Sequence, residues 1–186
     1  MPAISEISEA ARAIGGAIQK MRVSRRMSLE DLSRGISEVS NGVHIGVKTL
    51  ELVEKGSTDA QFDHMLALLA TVGLDMRLPD SAEVARERIV ETRLGEVREA
   101  LRKARHPEGM RKISFKALSD ACGIEQGQIG RIESGETMPR FRTVLALTRA
   151  LGIDVRFARF DGAAARAASA RNLRRGRSAA QRRKAA

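Results

Sequence analysis

From Val97 onward the apolar residues fall in the rhythm of short helices. Val97, Leu101 and Ala104 recur at helical spacing, and His106-Pro107-Glu108-Gly109 breaks that run. Ser114 is placed to cap a following helix that buries Phe115, Leu118 and Ala121, and Gly123 is placed to end it. After a short turn, a third helix carries Ile129 and Ile132 inward and closes at Ser134-Gly135. Pro139 precedes a fourth, with Phe141, Val144, Leu145, Leu147 and Leu151 on its buried face and Gly152 at its stop. The segment Gly152-Ile153-Asp154-Val155-Arg156-Phe157 then alternates apolar and polar residues with period two, the pattern of a short half-buried strand.

The same pattern stands earlier in the chain. At an offset of 79, Leu50-Glu51-Leu52-Val53-Glu54-Lys55-Gly56 falls on Ile129-Gly130-Arg131-Ile132-Glu133-Ser134-Gly135, Phe62 on Phe141, Leu66 on Leu145 and Gly73-Leu74 on Gly152-Ile153. Gly73-Leu74-Asp75-Met76-Arg77-Leu78 repeats the strand pattern, and the two strands can pair with each other or across a dimer. Upstream, Ser28-Leu29 with Leu32 matches Ser114-Phe115 with Leu118 at an offset of 86. The first copy therefore holds seven extra residues, and they fall within 37–44, a stretch rich in turn formers.

Composition narrows the function. The chain has 186 residues, and 42% are apolar, enough for a core. Five Phe with no Trp or Tyr argue against aromatic platforms for single-stranded nucleic acid. The single cysteine, Cys122, excludes an internal disulfide framework and a zinc finger built on several thiolates. No apolar run approaches a bilayer span, and the N-terminus lacks a signal-peptide pattern, so the expected location is the cytoplasm, with no membrane partner. The net charge is +10, and its distribution is uneven: residues 12–80 carry nine bases and nine acids, residues 81–160 carry 16 and 11, and residues 161–186 carry eight and one. A polyanion is the expected partner of the second half.

The second copy, with Ile113-Ser114-Phe115-Lys116-Ala117-Leu118, Ala121-Cys122-Gly123-Ile124, Gln128-Ile129-Gly130-Arg131-Ile132-Glu133-Ser134-Gly135, Pro139 and Leu151-Gly152-Ile153, resembles the phage-repressor and Cro-like helix-turn-helix family, also called the xenobiotic-response-element family. The likeness covers about 97–157. The first copy, about 12–78, is similar to the same family through Ser28-Leu29-Glu30-Asp31-Leu32 and Glu54-Lys55-Gly56, and departs from it by the insertion. The resemblance implies an all-α chain of two tandem helix-turn-helix, lambda-repressor-like domains, each ending in a short strand. The expected layout is a degenerate domain at 1–80, a helical linker at 81–96, a second domain at 97–160 and a disordered basic tail at 161–186. Apolar spacing at Ala85, Ile89, Val90, Leu94, Val97 and Leu101 lets the linker run on into the second domain as one long helix.

In this motif the second helix enters the major groove. The resemblance places it at about Glu125 to Ser134, with Gln126, Gln128 and Arg131 as base readers, since Gln bonds bidentately to adenine and Arg to guanine. Gly127 and Gly130 suit close approach to the DNA backbone. Ser114, Lys116, Thr137, Arg140 and Arg142 suit phosphate contacts. Glu133, at an inward position, reads as a bond within the fold. The matching surface of the first copy is Val47, Lys48, Thr49, Glu51 and Leu52, which either reads DNA or has become a surface for dimerisation or a protein partner. Arg174, Arg175, Arg177, Arg182 and Arg183 of the tail are expected to meet phosphates without reading sequence.

His44, His64 and His106 are scattered without metal-ligand spacing, and Gly15-Gly16 lacks the Lys-Ser or Lys-Thr of a nucleotide loop. No metal, cofactor or catalysis is expected. The leading reading is a sequence-specific regulator of transcription that occupies a promoter on double-stranded DNA as a homodimer. An antitoxin-like or antiactivator role, with residues 1–80 binding a protein, stands as the alternative, and an architectural DNA-binding protein as a third.

Overall fold

The computed structural model describes residues 4–40, 43–81, 84, 88–107 and 112–159. Within them the chain is all-α apart from one pair of short strands. The elements are α1 (Ile4–Ser24), α2 (Leu29–Val39), α3 (Val47–Glu54), α4 (Phe62–Thr71), β1 (Leu74–Arg77), α5 (Ile89–Arg105), α6 (Phe115–Cys122), α7 (Gln126–Ser134), α8 (Phe141–Ala150) and β2 (Arg156–Arg159). Four helices and a strand follow one another in each half. The basic tail, with Arg174, Arg175, Arg177, Arg182 and Arg183, lies outside the described residues.

Local signals set the helix ends. The Ser114 hydroxyl oxygen accepts from the Ala117 N–H at 3.1 Å, and Gly123 closes α6 at φ 74, a left-handed conformation that L side chains resist. Three residues later α7 begins. In the first half α2 has 11 residues where α6 has 8, and four further residues lie between α2 and α3. Those two extensions account for the seven extra residues. The face of α6 differs from the expected one: Leu118 is buried, Phe115 is half-buried, and Ala121 is exposed.

Ser28 opens α2 with a full capping box, its hydroxyl accepting from Asp31 N–H at 3.0 Å while Asp31 accepts from Ser28 N–H at 3.1 Å. Ser28→Ala is expected to lower stability by about 1 kcal/mol in a urea titration at neutral pH. The Ser28 backbone N–H and then its hydroxyl hold the Asp31 carboxyl below the usual carboxylate range. That part of the cap is therefore complete above the ordinary Asp pKa and fades as the pH falls through the depressed one.

One apolar core runs through both halves, from Ile18, Leu32 and Leu50 to Ile129, Ile132 and Leu147. Contacts of several kinds join the halves. Phe62 stacks on Phe141 with ring centroids 6.3 Å apart and planes at 13°. The Phe62 N–H donates to Pro139 O and the Phe141 N–H to Ala60 O, both at 2.9 Å, and Gln61 bridges Arg140 between them. The strands pair with each other, antiparallel, with Leu74 opposite Arg159 and Arg77 opposite Arg156. The helices pack crosswise, α4 against α5 and α8 against α1.

Three expectations need correction. The strand pattern of the second half begins at Gly152, yet β2 starts only at Arg156. In this register a longer ladder sets Pro79 opposite Asp154, and proline has no N–H to donate. Nor is β1 half-buried: Leu74, Asp75 and Met76 are all buried, because α5 covers the polar face as well. The linker expected to be helical over 81–96 is not helical at Ser81 or Val84, residues 82, 83 and 85–87 lie outside the described residues, and α5 begins at Ile89 and runs without a break into the second half. Ser81 instead serves a turn, where its hydroxyl oxygen accepts from Leu78 N–H at 2.9 Å and donates to Glu96 at 2.6 Å.

Candidate nucleic-acid interface

The sequence of α7 divides it into two faces. Ile129 and Ile132 enter the core, each 1% exposed, and Glu133 beside them is buried. Arg105 of α5 holds Glu133 with a two-pronged fork, Nε to Oε1 at 2.7 Å and Nη2 to Oε2 at 2.8 Å. The Arg105 guanidinium lies 3.9 Å above the centre of the Phe115 ring and also donates to Ile113 O. The helix end is held too, since Arg102 Nη2 donates to Glu133 O at 3.4 Å. Core packing, the fork and this end contact fix the rotation of α7 about its own axis.

Rotation so fixed turns Gln126, Gly127 and Arg131 to solvent and leaves Gln128 and Gly130 partly exposed. Packing within the chain does not explain the two glycines. A Cβ at Gly130 would come no nearer than 3.9 Å to the Phe115 ring, and one at Gly127 would lie 3.5 Å from Arg131 Nη1. The Arg131 guanidinium thus folds back along the helix over Gly127. No side chain caps that start, so its backbone N–H groups remain open.

Around α7, Lys116 is exposed and pairs loosely with Asp120 at 3.2 Å. Ser114 uses its oxygen as a cap, which leaves the hydroxyl hydrogen to donate outward. Thr137 is half-buried, with its N–H on Arg131 O at 3.2 Å. The structure sets Arg140 and Arg142 apart from this group, at the seam between the halves. Arg140 Nη1 donates to Asp59 O at 2.6 Å, Arg142 Nη2 to Gly56 O at 2.8 Å, and the Arg142 N–H to Asp59 Oδ1 at 3.1 Å. The loop that follows α7 meets the loop that follows α3, and these two side chains tie them together.

The first half has the same build. Leu50 and Val53 of α3 are buried, and Glu54 takes a fork from Arg22, Nε at 2.6 Å and Nη2 at 2.9 Å. That Arg22 also donates to Met27 O, as Arg105 does to Ile113 O. Gly15 of α1 meets the end of α3 so closely that a Cβ there would lie 2.4 Å from Val53 O. Lys48, Thr49, Glu51 and Leu52 are exposed and Val47 is partly exposed; Glu51 pairs with Lys55. Sequence reasoning missed both arginine forks. The signal was present, as Glu54 and Glu133 each stand on an inward face where a lone carboxylate is costly.

Cys122 is half-buried against the core, and burial pushes its thiol above the ordinary range, away from a reactive thiolate. Among the described residues no group of three or more His, Cys, Asp or Glu is placed to hold a metal ion, and no helix is long and apolar enough to cross a membrane. Residues 101–157 match a family model described as helix-turn-helix, a span running from the end of α5 into β2. No curated protein and no solved structure matches the chain.

Proposed function

We propose that the chain is a sequence-specific, double-stranded DNA-binding regulator of transcription that acts by occupying a promoter, with α7 as the reading helix in the major groove. The observation that carries this reading is the division of α7: a rear face locked by Ile129, Ile132 and the Arg105 fork, and a front of Gln126, Gln128 and Arg131 with glycines between them. A reading helix needs both properties. Side chains aimed at base edges discriminate only when the helix behind them cannot rotate, and glycines let the helix approach the groove wall. Ser114, Lys116 and the open start of α7 supply the surrounding phosphate contacts, and the Arg-rich tail adds charge without sequence preference.

Gln126→Ala with Arg131→Ala is expected to weaken binding to a preferred duplex by about 1–3 kcal/mol for each bidentate base pairing removed, and to relax the preference at those positions. Fluorescence anisotropy on a duplex selected from random DNA reads the first effect, and repeated selection reads the second. Both side chains are exposed, so the thermal unfolding midpoint stays where it was. Unchanged affinity and unchanged preference in the double variant would remove α7 from the reading role. The antitoxin-like alternative would place a protein on the exposed front of α3, since α1 and α4 of that half are packed on α8 and α5; capture of a protein by the full chain that Leu52→Ala abolishes would favour it.

A further inference from the structure

The central contacts that join the halves map onto themselves when the halves are exchanged. Phe62 and Phe141 are equivalent at the offset of 79, and they stack on each other. Ala60 and Pro139 are equivalent, and the two hydrogen bonds they accept are reciprocal at the same 2.9 Å. Gln61 and Arg140 are equivalent and bridge each other; Arg77 and Arg156 are equivalent and stand opposite each other in the ladder. The crosswise packing of α4 on α5 and α8 on α1 exchanges in the same way. Self-pairing of equivalent residues is the mark of a twofold axis, here inside a single chain.

A twofold rotation keeps height along its axis. The exposed fronts of α3 and α7 therefore share one height, and their components along the axis point the same way. Each helix reaches the axis within a short loop, at the Gln61 to Arg140 bridge. The fronts differ in side chains: where α7 has Gln126, Gly127, Gln128, Gly130 and Arg131, α3 has Val47, Lys48, Thr49, Glu51 and Leu52, with the Glu51 carboxylate drawn to Lys55. Leu52 is 38% exposed, an aliphatic side chain held in solvent at the place of the guanine-reading arginine. A thymine methyl in the major groove is the partner such a surface fits.

We infer that one chain is a covalently joined, twofold-related pair of readers for an asymmetric duplex site, with a guanine- and adenine-bearing half-site under α7 and a thymine-methyl half-site under α3. Two readers so related are expected to meet half-sites about one helical turn apart on one face of the DNA. This rests on the reading of α7 given above. It replaces the expected homodimer, because the second half-site is filled by the chain's own first half.

The test uses the full chain and the duplex it selects from random DNA at physiological salt. Native mass spectrometry is expected to show one chain per duplex, and hydroxyl-radical footprinting two protected stretches about a turn apart. Replacing thymines by uracil, which lacks the methyl group, is expected to weaken binding about fourfold per contacted methyl in one half-site and to leave the other unchanged. In the Leu52→Ala chain that uracil effect shrinks, while the preference read by Gln126 and Arg131 persists. Two chains on a symmetric site, or one chain protecting a single groove with no uracil effect beside it, would overturn the inference and leave the α7 reading intact. Loss of all sequence preference would overturn both.

Discussion

An Asp75→Ala chain is expected to be less stable than its parent by about 3–5 kcal/mol, the cost of taking the two-pronged carboxylate from a buried charge. Arg93 of α5 is wholly buried, and it reaches Asp75 with Nε at 2.9 Å and Nη2 at 2.7 Å. Asp75 is itself 1% exposed and takes a further bond from Arg77 Nε at 2.9 Å. Burial works against the Arg93 charge, but hydrogen bonds and attraction from Asp75, then Glu96, more than offset it and raise its pKa. Without Asp75, that guanidinium keeps its bond to Glu96 and forfeits both prongs of the fork. In urea the midpoint should fall with little change in slope. Asp75→Leu combined with Arg93→Met should recover much of the loss, since no charge is then stranded. The second half supplies a control: Asp154, equivalent to Asp75, is exposed and bonded by Arg156. Asp154→Ala should stay within about 0.5 kcal/mol of the parent.

Phe141→Ala should be as damaging, at about 3–5 kcal/mol. Phe141 is 1% exposed, stacked on Phe62 and in edge contact with Phe157. Truncation opens a cavity where the two halves meet, so both lose packing together. Calorimetry is expected to show one transition moved to lower temperature. Two transitions, with one left in place, would show that the halves unfold independently. A double-mutant cycle of Phe62→Ala with Phe141→Ala should return a coupling of about 0.5–1.5 kcal/mol for the ring pair beyond its buried area.

The parts of this fold legible in the sequence are those set by neighbours along the chain. Ser114, Gly123, Gly135 and Gly152 mark helix ends because capping and left-handed turns are local events. The offset of 79 survives because buried positions of the two halves keep the same spacing. The seam was not legible. Arg140 and Arg142 look like basic residues beside a reading helix, and only the approach of the 56–59 loop turns them into ties between the halves. Arg93 looks like part of a polar linker, and its burial depends on Asp75, 18 residues away. Periodicity tells which face of an element is inward; it does not tell what covers that face. For the same reason the front of α7 could be read at residue level, whereas its relation to α3 required the packed molecule.

Crosswise packing also sets a schedule for synthesis. When residue 80 has been added, Val39 and Ala70 still await Ile89, Asp75 awaits Arg93, and β1 awaits the strand that closes its ladder. At about 5–20 residues per second the missing segment takes roughly 4–16 s to appear. Throughout that interval the nascent first half displays an open strand edge beside apolar surface, the combination that pairs with the wrong chain. Slower translation between residues 81 and 159 lengthens the time for which that edge and surface wait for their native partners.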